Sequence, residues 1–388
     1  MSIAGRNFSA LSFIWLLFAP VLLQAQNFSD TVIWSESGLP SADSAVAAPT
    51  QLQQIFPQAR IASTEGLPGQ LQDANTHLLI LPQGSVVPEA AWSSIHSYLR
   101  RGGNLLVVGG QPFTRSAYHD TVGWHLREPS VRFTRALLID QYQATPGSKD
   151  LDFSANPDFP LDLPSFSWEK AYSPILHLSA TDLYNRGGSA GSLDVRLDPL
   201  VWGVSGGRRL ASPVIELDHL SSGFDGGRWI FILAELTANF FSAPDSTKLL
   251  RSLAERALRG AEEFSVRPTL PLYLSGEPIT LETTFHSTAK SGSPVSIQVT
   301  SYPESEPSRK QSASITFPSA ETTILPAPQS KGFHIIEAKL LEGSMVRQVY
   351  HSAFWIRDEA YLRSGPRLSV NADYFQLDDK PLAVVGTW

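Results

Sequence analysis

Residues 88–110, PEAAWSSIHSYLRRGGNLLVVGG, constrain what this chain can fold into more than any other stretch. Trp92, Ile95 and Leu99 recur at helical spacing, so one face is apolar and the other carries Ser, His and Arg. Pro88 suits a first helical turn, where a missing amide donor costs nothing. Arg100 and Arg101 stand where the helix dipole favours positive charge, and Gly102-Gly103 can take the left-handed conformation that ends a helix. Residues 105–108 then form a short apolar run without alternation, as in a strand buried on both faces. A helix feeding such a strand through a tight glycine turn is half of an α/β layered domain.

The same grammar continues on either side. Residues 30–34 predict a first buried strand, 48–56 a helix, and 76–81 the next strand, ended by Pro82-Gln83-Gly84. Strand–helix–strand units repeating to about Gly110 imply a parallel sheet with right-handed crossovers. From 111 to 227 the pattern loosens into short apolar runs (136–139, 174–178, 200–204, 213–217), which predicts a long insertion of loops and antiparallel strands. Such an insertion is either functional or decorative. Residues 229–234 return to the buried-strand type. Residues 248–259 are amphipathic through Leu249, Leu250, Leu253 and Ala257, with Gly260 placed to end the helix. The α/β domain is thus expected over 26–263.

After Phe264 helical spacing gives way to alternation. Strands are predicted at 279–285, 295–300, 313–317, 334–341 and 346–356, with a hairpin turn at Leu341-Glu342-Gly343-Ser344. Short strands without a helix point to an all-β sandwich of immunoglobulin type over 264–358. Residues 359–388 are a third piece, with short strands at 374–377 and 382–385 around Asp378-Asp379-Lys380-Pro381. An unpaired 382–385 edge is an aggregation risk unless it docks onto the sandwich.

Length and charge narrow the partners. The chain has 388 residues, a formal net charge of −7 and no basic stripe. Nucleic acid is therefore not an expected partner, since phosphate binding needs clustered Lys and Arg. There is no cysteine, which removes disulfides, thiolate zinc sites and cysteine nucleophiles together. Residues 1–25 read as a secretory signal: Arg6 supplies the positive start, 11–23 the apolar core, and Leu23-Gln24-Ala25 a cleavage site before Gln26. Pro20 breaks that run, which is shorter than the roughly 20 residues that cross a bilayer. The competing reading is an uncleaved anchor. The expected location is secreted or periplasmic, with no stable membrane span after cleavage; an oligomer stays open.

Several motifs bear on chemistry. Two stretches match G-x-S-x-G, at Ser189 and Ser205. A nucleophile elbow needs a strand before the serine and a helix after it, and neither context provides both. The nine histidines include no H-x-H or H-E-x-x-H spacing; His119, Asp120 and His125 come nearest to a ligand cluster and read better as loop residues. Trp124, Trp168 and Trp202 lie in the insertion, where flat rings are candidates for stacking on sugar faces, with core packing as the alternative.

Two resemblances add to this reading. THLLILPQG (76–84) and YLRRGGNLLVVGGQPF (98–113) resemble the class I glutamine-amidotransferase-like fold, a flavodoxin-like α/β family, in the accessory version found in bacterial glycoside hydrolases. Active members hold a nucleophilic cysteine in a turn that falls here at Gly109 or Gly110. A glycine has no side chain to form a thioester, so that activity is not implied. NADYFQLDDKPLAVVGTW (371–388) resembles the entry to the catalytic barrel of retaining glycoside hydrolases, the β-galactosidase and cellulase superfamily of (β/α)8 barrels. Those barrels often open with Y-F-x-L-D-G-K-P; Asp379 takes the glycine position here. YHSAFWIRDEAYLRSGPRLSVN (350–371) resembles the linker before such a barrel.

A whole barrel takes at least about 200 residues. The resemblance therefore implies a truncated barrel entry, with the paired carboxylates on later strands; no Asn-Glu dipeptide, their usual mark, occurs. The leading expectation is the non-catalytic accessory portion of a secreted carbohydrate-active enzyme, with no catalytic, cofactor or metal residues and carbohydrate as the candidate partner. The alternatives are a self-sufficient exported glycan-binding or envelope-structural protein and, least favoured, an esterase using Ser205.

Overall fold

Five short apolar strands lie side by side and parallel: Arg60–Ala62, Thr31–Trp34, Leu78–Leu81, Asn104–Val108 and Arg228–Ile232. In this computed structural model the described residues are 27–160, 168–176, 195–221, 223–237, 239–288, 295–316, 322–364, 367–371, 374–378 and 380–382. The parallel strands need no alternation because helices cover both faces. Ile33, Ile80, Leu106 and Ile230 pack beneath the helices Pro49–Ile55 and Pro244–Leu258. Val32, Leu79, Val107 and Phe231 pack beneath Leu67–Gln72 and Trp92–Arg100.

The helix expected from residues 88–110 runs over Trp92–Arg100 after a short 3₁₀ turn, Glu89–Ala91. It ends at Gly102, whose φ of +79° is the conformation a glycine supplies without strain.

The region expected as an insertion is more integral than its composition suggests. Arg208–His219 pairs antiparallel with Arg228–Ile232, Val195–Ser205 pairs with Arg208–His219, and Asp152–Ala155 closes that edge. These strands extend the central sheet to eight. The rest forms two small sheets, one of Ala234–Leu236, Trp168–Leu176 and Ile139–Ala144, the other of Val86–Pro88, Arg115–His119 and Trp124–Leu126. The run 136–139, expected as one segment, is split between the helix Arg132–Ala136 and the strand Ile139–Ala144.

A second body begins at Glu262–Pro268. That strand forms a sheet with Ile279–Ser287 and Thr322–Leu325. Facing it is a five-stranded sheet, ordered Leu272–Tyr273, Met345–Ile356, Gly332–Glu342, Val295–Pro303 and Gln311–Thr316. Phe264, Val266, Leu281, Ile297, Val299, Ile336 and Phe354 fill the space between. The protein is β-rich, with its strands spread over six sheets among the described residues. The expected leader, the Ser189 motif, Asp379 and the strand beyond Leu382 lie outside the described residues. No helix among the described residues is long and apolar enough to cross a membrane.

A buried charge network joins the two bodies. Arg228 grips Asp218 with two bonds, Nε to Oδ1 at 2.7 Å and Nη2 to Oδ2 at 2.9 Å. Arg256 grips Glu216 in the same way, at 2.5 and 2.8 Å. From the sandwich, Glu262 approaches Arg228 to 3.6 Å and accepts a bond from Arg347. Glu216, Asp218 and Arg228 have no exposed surface. Burial works against the Arg228 charge, but Asp218 and Glu216 hold its guanidinium above its ordinary range. Removing one partner leaves the other charged and buried, which costs about 3–5 kcal/mol. Glu216→Gln is therefore expected to destabilise the protein by about that amount in denaturant unfolding.

His219 ends the same strand inside a box of Phe224 and Trp229, with ring centroids 5.4 and 3.8 Å away. Among the described residues neither ring nitrogen has a hydrogen-bond partner. Burial pushes its pKa down to about 3, whereas in the unfolded chain the imidazole titrates near about 6.5. Between those values the unfolded chain binds the extra proton, so native stability falls as pH falls through the window. In His219→Leu the loss between pH 7 and 5 should be shallower than in the parent, by up to about 1.4 kcal/mol per pH unit. Thermal or denaturant unfolding at the two pH values measures it.

Candidate functional site

In an open α/β sheet, ligands collect beyond the carboxyl ends of the strands where the strand order reverses. Here the chain leaves Thr31–Trp34 for Arg60–Ala62 on one side and then for Leu78–Leu81 on the other, so the crevice lies between the first and third strands. The loop after the first strand brings Asp43 and Ser44 to this end. The loop after Leu78–Leu81 brings Ser85, and Asn104–Val108 runs out into Gly109, Gly110 and Gln111. Glu235 follows the last parallel strand, and Lys170 pairs opposite it on Trp168–Leu176.

These groups form a connected polar cluster. The Ser85 hydroxyl is 2.7 Å from both Asp43 carboxylate oxygens and accepts the Gln111 N–H at 2.7 Å. Tyr172 donates its phenol to Glu235, and Lys170 Nζ lies 3.9 Å from the same carboxylate. Burial pushes the Asp43 carboxyl above the usual range, aided by the Glu235 charge and opposed by the Ser85 hydrogen bond. Burial and Glu235 likewise push the Tyr172 phenol up.

The turn at Gly109-Gly110 is packed against this cluster. Gly109 and Gly110 have φ of +83° and +73°. A Cβ on Gly109 would lie 2.5 Å from Ser44 Oγ; one on Gly110 would overlap Ser85 Oγ and Asp43 Oδ1. Ser85 itself is buried, and among the described residues its bonds are to a carboxylate and a backbone amide, with no imidazole to take its proton. The neighbouring cavity between Trp34, Glu36, Leu39 and Gln83 measures ≈ 20 Å³, against roughly 300 Å³ or more for a small-molecule site. The cluster can hold protons and fix three loops; it presents no nucleophile.

The residues singled out from sequence do not converge here. Trp124, Trp168 and Trp202 stand in three different sheets. Trp168 is 7% exposed and packs in the core with Ala171 and Leu236, which corrects its candidacy for sugar stacking because no ring face is open. Trp124 is half-buried against His119, with ring centroids 5.1 Å apart. Trp202 is half-buried beneath Arg209, whose guanidinium lies 4.8 Å from the ring centroid. Ser205 ends a strand directly before the two-residue turn Gly206-Gly207 and faces Arg208 in a hairpin. His125 bonds Asp120 at 3.0 Å while His119 turns to Trp124. No group of three or more potential ligands among the described residues could hold a metal ion.

Asp43, Ser85, Tyr172 and Glu235 escaped sequence reasoning. Ser85 and Glu235 follow predicted parallel strands, a position that marks them; Asp43 and Tyr172 carried no such signal.

No known family's sequence model matches this chain, and no curated protein matches it. Solved structures with a similar arrangement include the β-galactosidase from Bacillus circulans sp. alkalophilus, at 12% identity and a TM-score of 0.33, covering 79% of this chain and 42% of that one. The cold-adapted β-galactosidase from Rahnella sp. R3 matches at 9% identity and 0.33, covering 81% and 41%. The CARDB domain of the PF1109 protein from Pyrococcus furiosus matches at 14% identity and 0.17, covering 25% and 89%. The chain spans about two fifths of the length of the β-galactosidases it matches.

The occupied turn is directly testable. Gly110→Ala is expected to lower stability by more than about 1 kcal/mol, from the positive φ and the clash together. Adding Ser85→Ala should recover part of that loss in thermal unfolding, because one of the two clashing atoms is gone.

Proposed function

We propose that this chain is the non-catalytic accessory region of an exported, glycoside-hydrolase-like carbohydrate-active enzyme. In this reading the first body is an amidotransferase-like, flavodoxin-type domain without its nucleophile, and the second an immunoglobulin-like sandwich. Residues 359–388 are then the entry to a (β/α)8 barrel. The leader is removed on export, so the chain works in a secreted or periplasmic setting. Carbohydrate is the proposed partner, with the half-buried Trp124 and Trp202 the remaining stacking candidates.

One observation carries the reading. The motif resembling a barrel entry folds as a meander of Leu368–Asn371, Tyr374–Leu377 and Lys380–Leu382. Its register places Leu368, Val370, Phe375, Leu377 and Leu382 on one face, with Lys380 at its edge opposite Leu377. Val370 is 68% exposed, and Leu368 and Phe375 are also open to solvent. An exposed sheet face that is apolar apart from one edge lysine is an interaction surface, and a barrel would cover it. The filled turn at Gly109-Gly110 supports the absence of amidase chemistry in the same chain.

The pure chain is expected to leave a panel of aryl glycosides intact. Cleavage with retention, lost on substitution of a carboxylate in this chain, would overturn the proposal. The apolar face is expected to bind a hydrophobic dye, with the signal cut several-fold in the double variant Val370→Lys, Phe375→Lys.

A further inference from the structure

An open cleft lies at the opposite end of the parallel sheet, where the strands begin. It measures ≈ 420 Å³ and runs between the ends of the helices Trp92–Arg100 and Pro244–Leu258, the 225–226 turn and Thr288 of the sandwich. That volume is in the range of small-molecule sites. Glycines make the walls: a Cβ on Gly260 would stand 2.6 Å from Thr288 Oγ1, and one on Gly102 would overlap the Asp225 carbonyl.

Most polar groups lining this cleft are already engaged. Asp73 pairs with Arg60 at 2.7 Å. Arg101 donates to the Leu71 and Ser97 carbonyls, Tyr98 to the Asn104 carbonyl, and Thr288 to the Gly226 and Ala261 carbonyls. Asn104 spends its amide on the His77 carbonyl and the Arg228 N–H.

Two charges remain. Among the described residues, neither Arg259 nor Asp225 has an ion-pair partner, although both line the cleft. Arg259 is half-buried, and burial together with the Arg347 and Arg256 charges holds its pKa below the ordinary value. Its helix end does not need it, since the Arg256 carbonyl already receives Arg228 Nη1 at 3.3 Å and the Ala257 carbonyl the Gly260 N–H at 3.0 Å. Asp225 is exposed and receives the Gly223 N–H at 3.0 Å.

We propose that this cleft is a binding site for a small hydroxylated carboxylate of the sugar-acid class, its carboxylate on Arg259 and its hydroxyls on Asp225. A planar guanidinium takes a carboxylate through two parallel bonds, and a carboxylate accepts from neighbouring hydroxyls. A neutral sugar brings no charge to Arg259, whose pKa stays lowered despite the Glu262 and Glu342 charges near it, and a bare anion is repelled by Asp225. The sugar body rests on the carbohydrate reading above; the anion requirement does not.

The test is calorimetric titration of the full chain with D-glucuronate, D-glucose and sulfate. Glucuronate should bind saturably and glucose should not. Arg259→Gln should weaken glucuronate at least about tenfold, since a hydrogen-bonded charge is lost. Arg259→Lys, which keeps the charge and loses the fork, should fall between parent and Gln variant, and Asp225→Asn should weaken binding several-fold. No saturation with glucuronate up to about 10 mM overturns the site. Sulfate binding as tightly as glucuronate, with Asp225→Asn silent, overturns the sugar-acid assignment. Neither outcome bears on glycoside cleavage, so a failure here is separable from failure of the accessory role.

Discussion

The ion network of Glu216, Asp218, Arg228, Arg256, Glu262 and Arg347 fixes how the two bodies of this protein meet. Its members come from two central strands, the long helix Pro244–Leu258 and two strands of the sandwich. Such a network is weak evidence for stability in itself, because desolvation offsets much of the Coulomb gain. Its effect lies in geometry. Each bidentate pair accepts one arrangement, and a sliding sandwich would strand Glu262 and Arg347 among buried charges. Further links follow the same seam: Val349 N–H bonds the Asp158 carbonyl at 2.8 Å, and His351 Nε2 lies 3.1 Å from Asp158 Oδ1.

That docking gives the two ends of the parallel sheet opposite characters. At the carboxyl end, three loops fold back over the strand-order reversal, and the bonded pair Asp43 and Ser85 fills the crevice beside the pair Tyr172 and Glu235. At the amino end, Thr288 of the sandwich stops short of closing the gap between two helix ends. An α/β sheet usually concentrates ligand chemistry at its carboxyl end. Here the space is at the other end, and a neighbouring domain supplies part of its wall.

Local signals were legible and distant ones were not. The helix Trp92–Arg100 and the strand Asn104–Val108 lie close to expectation because spacing, charge and glycines all agree within a few residues. The helix Leu67–Gln72 was hidden by Pro68 and Gly69, although proline is tolerated in a first turn. Strands 195–219 looked like an insertion because Pro199, Gly203 and Pro213 interrupt them; in the sheet, register shifts between Pro199 and Val204 absorb most of these breaks. Glu216 and Asp218 alternate with Ile215 and Leu217, which reads as one face in water. That face is instead covered by a helix and a sandwich, and the partners Arg256 and Arg347 lie far along the chain. The cluster at Asp43 was hidden in the same way, since its four acids, phenols and hydroxyls come from four separate segments.

Glycine at the strand end decides how closely the loops at the carboxyl edge of the sheet can pack. A nucleophile in that turn needs room for a side chain pointing outward, and a partner to deprotonate it. With Gly110 there, the backbone can take φ +73°, and the volume a Cβ would fill is taken by Ser85 and Asp43. The turn is thereby a fastening point for loops after the first, third and fourth central strands. A side chain placed there would push Ser85 and Asp43 apart and loosen all three loops at once, so the glycine and the packing of the carboxyl end depend on each other.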